Sequence, residues 1–341
     1  MRHKKLAYVI AEAGINHCGD LSRAYQLIDA ALEAKADAVK FQTFNTELLL
    51  RQDEPRMSYQ LQNRCGDISQ FQILKGVELT LSDHESLKKY CDQKNIDFLS
   101  TAYDTLSVDL LLQLGVSSIK IASTDTTNIP LIRYVAKTDV NVILSTGISN
   151  LWEVAKAMEA FQDKKENITL LHCVSNYPAP IKELNLMAMK KLQAVFGVDV
   201  GFSDHSDSLD IGAYAVCAGA SVIEKHITYD KDAPGPDHAA SLLPGEFIDY
   251  VDKIRTAELA LGEDVKRIQP SERKIKKQMQ KSLVAVQNIS AGTILEPKHL
   301  STMRPATGIS PIFFDEVIGG KAKHDIGTGK FISWGDLILD E

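Results

Sequence analysis

No cysteine pair in this chain has the CxxC spacing of a redox or zinc motif. The five cysteines, Cys18, Cys65, Cys91, Cys173 and Cys217, form an odd and scattered set. That pattern argues against a disulfide framework and a structural zinc site, and free thiols in a reducing cytoplasm are expected. Long apolar runs are missing as well, so no stretch reads as a membrane span. The start, MRHKKLAYVIAEAG, imitates a signal peptide, but its apolar run is short and Glu12 interrupts it. It reads instead as a first core strand. Excess positive charge is also absent. The 38 Lys and Arg against 45 Asp and Glu give a formal net charge of -7, which argues against a nucleic-acid partner. A locally basic pocket for an anion stays compatible with that balance. Finally, no GxGxxG follows the first strand, which weakens an open dinucleotide-binding sheet.

What the 341 residues do contain is an alternation of apolar, β-branched runs with helical patterns. The runs AYVIAEAG, AVKFQTF, DFLSTAY, SIKIAS, NVILSTG, ITLLHCVS, VDVGFS and SVIEKHIT are read as eight strands. Parallel strands need crossover helices, so eight such units predict a (β/α)8 barrel over residues 1–262. An open doubly wound sheet is the alternative. A charged linker is expected over 263–281, then a small module over 282–341 with short strands and frequent glycine turns. So small a module has a marginal core and should pack on the barrel or on another subunit. The polar stretch from Thr46 to Thr80 reads either as an insertion covering the site or as a surface excursion.

The strand ends carry the chemistry. Glu12, Lys40, Gln42, Thr101, Lys120, Ser123, Ser145, Ser175, Tyr177, His205 and His226 fall at or just past them. In a barrel these collect at the C-terminal mouth, where active sites sit. His205 and His226 close neighbouring strands, in Ser203-Asp204-His205 and Glu224-Lys225-His226. A lone histidine is usually a satisfied core residue. Two at matching strand ends, each beside an acid, favour a shared metal ion completed by water or substrate. Lys40 and Lys120 lie inside apolar strands, where an unpaired ammonium is costly. They pair with Glu12, Asp125 or Glu224, or hold an oxyanion together with Thr101, Ser123, Ser145, Ser175 and Ser203. Glu12, Asp125, Glu224 and Asp237 offer carboxylates for proton transfer, and Gln42 and Tyr177 neutral groups for a sugar. Together these suggest a phosphorylated enol adding to a metal-polarised sugar aldehyde. Arg304, before Pro305, reads by itself as a solvated charge in a turn.

IAEAGINHCGD, AVKFQTF, KIASTDTTNIPL, ILSTG, LHCVSNYPAP, VGFSDHS, VIEKHIT, GPDHAASL and MRPATGISP occur in this order through nearly the whole chain. In that order they resemble the N-acetylneuraminate (sialic acid) synthase family, which uses phosphoenolpyruvate and carries a C-terminal antifreeze-like (SAF) domain. The resemblance implies that His205 and His226 bind a divalent ion, Mn2+ or Mg2+. It implies that Lys40, Thr101, Lys120, Ser123, Ser145, Ser175 and Ser203 hold phosphoenolpyruvate. Glu12, Lys40, Lys120, Asp125 and Glu224 would be catalytic. Gln42, Tyr177, Glu224, Asp237 and Arg304 would face an N-acylated mannosamine-type sugar, with Arg304 reaching across a domain-swapped homodimer. N-acetylmannosamine is the first acceptor implied, and a 2,4-diacetamido-2,4,6-trideoxy-mannose, giving legionaminate, the alternative. STAYD stands where STPFD is common in the family, and Asp125 where glutamate is. A carbohydrate-binding protein with an inert barrel is the reading from outside enzymology, and the intact lysine and histidine set argues against it.

Overall fold

A computed structural model describes residues 6–53, 69–162 and 164–339. The chain divides into two compact units after Gly262. The first is the expected (β/α)8 barrel, closed by parallel strands in the order β1 to β8. These are β1 Tyr8–Gly14, β2 Ala38–Thr43, β3 Asp97–Ala102, β4 Ser118–Ile121, β5 Asn141–Ser145, β6 Ile168–Cys173, β7 Asp199–Asp204 and β8 Val222–His226. Outside them lie α1 Leu21–Glu33, α4 Leu81–Lys94, α5 Thr105–Gln113, α6 Ile129–Val135, α7 Leu151–Met158, α8 Ala188–Phe196, α9 Ile211–Cys217 and α10 Pro244–Leu261. Two short helices, α2 Thr46–Leu49 and α3 Gln70–Val77, stand between β2 and α4. The four cysteines among the described residues are free thiols, and Cys65 lies outside those residues.

The period-2 alternation of strands decides which residue faces the lumen and which the helices. Ile10, Ala38, Leu99, Ile143, Leu171 and Val222 form one cluster that fills the barrel. One step along the same inward rows come Glu12, Lys40, Thr101, Ser145, Cys173 and Glu224. The alternate residues face outward. Ser100 pairs with Thr43, which also meets His84 of α4. Lys225, fully buried, pairs with Asp204 at 3.3 Å, and the Tyr250 hydroxyl of α10 donates to the same carboxylate at 2.9 Å. The helix layer is thus tied to β7 and β8 by a compensated charge as well as by apolar packing.

The second unit has the short antiparallel pairs expected of the small module. β9 Ser282–Ala285 pairs with β10 Leu300–Met303, and β11 Lys321–Ala322 with β12 Leu337–Ile338. Leu283, Leu295, Ile309, Val317, Ile326 and Ile332 anchor its core, next to the single turn α12 Phe314–Val317. The span read as a linker is not irregular: it holds α11 Pro270–Met279. Pro270 sits in the first turn, where its missing N–H loses no bond and its fixed φ suits a helix. Every residue of α11 is exposed, and Ile275 and Met279 are too few among its charges to set it apart from a charged linker in the sequence.

Asp336 is the electrostatic anchor of this unit. Burial alone would raise its carboxyl, but bonds from Ser333, Lys330 and His324 hold it down at about 2. A carboxyl lowered from 3.8 contributes stability that is complete above about pH 5 and is lost as pH falls through 2. Asp336→Asn is expected to remove about 2 kcal/mol from this unit at neutral pH. Urea unfolding of the whole chain, followed by Trp334 fluorescence in a Trp152→Phe background, measures it. An unchanged midpoint would show that the anchor carries no stability.

Candidate active site

One cavity of about 490 Å³ opens at the C-terminal mouth of the barrel. Its wall includes Glu12, Lys40, Gln42, Thr101, Lys120, Ser123, Ser145, Ser175, Tyr177, Ser203, His205, Glu224, His226 and Asp237. These come from strand ends and the loops directly after them, as the strand-end reading requires. Two residues singled out in the sequence are not in this wall. The Asp125 carboxylate is taken up by its own turn, accepting from Asn128 Nδ2 at 2.8 Å and from the Thr124 hydroxyl at 3.2 Å. It pairs with neither lysine. Arg304 belongs to the second unit and is exposed there.

A network of opposite charges forms the floor. Lys40 Nζ lies 2.6 Å from Glu12 Oε2 and 3.6 Å from Glu224 Oε2, and donates to Thr101 Oγ1 at 2.9 Å. Lys120 Nζ is 3.8 Å from Glu224 Oε1 and donates to Ser145 Oγ at 2.6 Å. Ser203 Oγ donates to Glu224 Oε1 at 2.9 Å. All four charged groups are at most 5 % exposed, so each depends on the others. Their acidities diverge accordingly. Burial raises Glu12, and one close lysine offsets that only in part, with Glu224 pushing the same way. Glu224 is driven below the usual range because Lys120, Lys40 and Ser203 outweigh its burial. Lys40 stays charged between its two carboxylates, whereas burial lowers Lys120. Asp237 is pushed up to about 6 by desolvation, opposed by Lys40.

The imidazoles sit beside this floor, with ring centroids 5.7 Å apart and Tyr177 stacked 4.2 Å from His205. Burial moves His205 down to about 4 and holds His226 well below the ordinary value, so both rings are neutral at physiological pH. His205 Nδ1 donates to the Val174 carbonyl at 2.8 Å, which makes Nε2 the acceptor nitrogen, facing the hydroxyls of Tyr177 and Ser203 at 3.2 Å each. His226 Nδ1 is buried without a hydrogen-bond partner. Neutral imidazoles, one oriented by a carbonyl and one with an orphaned nitrogen, fit a metal ligand pair. Among the described residues no third His, Cys, Asp or Glu joins them, so an ion here would take its other ligands from substrate or water.

Gly147 leaves room for the hydroxyls of Ser123 and Ser175. A Cβ there would overlap Ser175 Oγ and lie 2.6 Å from Cys173 Sγ and 2.8 Å from Ser123 Oγ. The Gly147 N–H donates to Ser123 Oγ at 3.0 Å. The sequence reading missed Ile15, Tyr103, Ala122, Thr124 and Ile148, which lie just past strand ends, and Pro236, Leu49, Leu50, Gln70 and Leu74. Tyr103 had a signal, since STAYD places it two residues past Thr101. Its phenol is held well above the ordinary value by burial and by Glu12, so it remains a donor. Leu49, Leu50, Gln70 and Leu74 come from α2 and α3, inside the stretch left open between cover and excursion; residues 54–68 of that stretch lie outside the described ones.

Known proteins match the chain along nearly its full length. The NeuB family model matches residues 27–266 and the SAF domain model residues 280–338. N,N'-diacetyllegionaminic acid synthase of Campylobacter jejuni is 43% identical, over 92% of this chain and 95% of its own. The enzyme of the same name from Legionella pneumophila is 38% identical, over 96% and 93%. A crystal structure of N-acetylneuraminic acid synthetase from Leptospira borgpetersenii is 35% identical with a TM-score of 0.69, covering 79% of this chain and 90% of that one.

Lys40→Met is expected to leave Glu12 and Glu224 buried with one fewer cation, at a cost of about 3–5 kcal/mol in unfolding free energy. Urea titration at neutral pH reads that loss, and wild-type stability in the variant would contradict a network of interdependent charges.

Proposed function

The chain belongs to the NeuB family of phosphoenolpyruvate-dependent transferases, and from that premise we propose that it condenses phosphoenolpyruvate with 2,4-diacetamido-2,4,6-trideoxy-mannose. The products are N,N'-diacetyllegionaminate and phosphate. Of the two acceptors implied by the resemblance, this one is favoured over N-acetylmannosamine. The observation that carries the choice is the pair of legionaminic acid synthases at 43% and 38% identity, aligned over more than nine-tenths of the chain. The cavity agrees with an uncharged acceptor. Among its described lining residues the only lysines are Lys40 and Lys120, both committed to the floor. A phosphorylated sugar would need further cations.

Lys40, Lys120 and the hydroxyls of Thr101, Ser123, Ser145, Ser175 and Ser203 hold the carboxylate and phosphate of phosphoenolpyruvate. Its arrival adds negative charge beside Glu12, which favours the protonated carboxyl and equips it to donate or receive a proton. Gln42, Tyr177, Glu224 and Asp237 orient the open-chain sugar with its aldehyde at the imidazoles. A divalent ion, Mn2+ or Mg2+, held by His205 and His226 would supply Lewis-acid polarisation of that aldehyde. C3 of the enol forms the new bond to the aldehyde carbon as the C2–C3 and aldehyde π bonds are consumed and the aldehyde oxygen takes a proton; water adds at C2 and gives up a proton, and the C2–O bond to phosphate then breaks, leaving a C2 carbonyl. In a domain-swapped homodimer, Arg304 reaches the acylamino group of the sugar bound by the neighbouring barrel. Among the described residues no helix is long and apolar enough to cross a membrane.

Phosphate release from phosphoenolpyruvate with each sugar and Mn2+ tests the acceptor. The expected kcat/KM is about tenfold or more higher for the diacetamido sugar. A preference for N-acetylmannosamine would return the assignment to sialic acid synthesis, and no turnover of either would remove both. Gly147→Ala, which crowds Ser123 and Ser175, is expected to raise the KM for phosphoenolpyruvate about tenfold or more and leave the KM for the sugar nearly unchanged. Equal effects on the two would place the hydroxyl pocket elsewhere in the reaction.

A further inference from the structure

The excursion between β2 and α4 supplies a wall whose composition differs from the floor. Gln70 opens α3, Leu74 lies one turn further on the same helix face, and Leu49 and Leu50 end α2. All four line the cavity. Gln70 is 7 % exposed, yet its Oε1 has no hydrogen-bond partner among the described residues. Leaving a buried polar atom unsatisfied is costly, and such atoms are rare in folded proteins. The wall is also held in place. Ser69 and Gln72 close a capping box at the start of α3. Lys75 of α3 bridges Glu47 and Glu78, and Glu78 accepts from both the N–H and the hydroxyl of Thr46 at the start of α2. A braced wall keeps the amide unsatisfied until a ligand arrives.

We propose that Gln70 is a specificity-determining residue for the acceptor, forming with Leu49, Leu50 and Leu74 a subsite for the half of the sugar remote from the aldehyde. The Gln70 amide oxygen accepts the N–H of an acetamido group at C4. The leucines receive the methyl of that acetamide and the methyl of a deoxygenated C6. N-acetylmannosamine presents hydroxyls at C4 and C6 instead. The C4 hydroxyl lacks the acetamide methyl that seats among the leucines and so is not held against Gln70, and the C6 hydroxyl loses water against leucine without a replacement partner. The inference rests on the acceptor assigned above and names the residues that enforce it.

The test is the ratio of kcat/KM for the 2,4-diacetamido sugar to that for N-acetylmannosamine, measured in wild type, Gln70→Met and Gln70→Glu. Both sugars are assayed in one preparation, so the fraction of correctly folded enzyme cancels from the ratio. Gln70→Met, which keeps the length and loses the acceptor, is expected to lower the ratio about tenfold, the worth of one buried hydrogen bond. The KM for phosphoenolpyruvate should stay within about twofold of wild type. Gln70→Glu keeps an acceptor and should retain more of the ratio than Gln70→Met. A wild type that prefers the diacetamido sugar with a ratio unmoved by Gln70→Met overturns the subsite and leaves the acceptor assignment standing. A wild type without activity on that sugar overturns both.

Discussion

Two ammonium groups inside a barrel set the terms for everything around them. Lys40 and Lys120 are nearly fully buried, and desolvating either costs several kcal/mol unless opposite charge lies close. Glu12 and Glu224 supply that charge, but unevenly. Lys40 has both carboxylates within 4 Å, whereas Lys120 has only Glu224, and at the longer distance. Below this layer the lumen is plugged by Ile10, Leu99, Ile143, Leu171 and Val222, so the network meets solvent only through the cavity. An anion entering there finds one cation incompletely neutralised and a wall lined with serine and threonine hydroxyls beside it. The compensation that lets the barrel fold is therefore the same arrangement that lets an oxyanion exchange into it.

The parts legible in the sequence are those governed by a short period. A lysine in SIKIAS or AVKFQTF stands out because an apolar strand has few reasons to hold one. The step of two then places Lys40 with Gln42 and Glu224 with His226 on the lumen side. The same step assigns Lys225 and Asp204 outward. Asp125 shows where the pattern ends: past its strand the chain enters a 3-10 turn, and local partners at Asn128 and Thr124 claim the carboxylate before the cavity does. The helix α11 was illegible for a related reason. Its apolar positions are few, with Ile275 and Met279 set among charges and none of them buried, and Pro270 marks a start there as readily as an end. Gln70, Leu49 and Leu74 lie on a stretch of low apolar contrast, and their convergence on the mouth comes from tertiary bracing through Lys75, Glu47 and Glu78.

Floor and wall differ in what a substitution can change. Every floor residue on a strand is embedded in barrel hydrogen bonding, and the charged ones compensate one another. A change at Lys40 or Glu224 thus uncovers its buried partners, and with them the anion binding and proton placement proposed for this floor. The wall is built from two short helices outside the barrel ladder, braced by surface ion pairs that contribute little stability each. Side chains there can be exchanged without opening the core or leaving a charge unpaired. A barrel organised in this way can keep one carbon–carbon bond-forming floor while the acceptor is chosen on α2 and α3. The one unsatisfied amide in an otherwise apolar wall is then best understood as selection of a partner group: its cost in the empty site is recovered only by a sugar that brings a hydrogen-bonding group flanked by methyls.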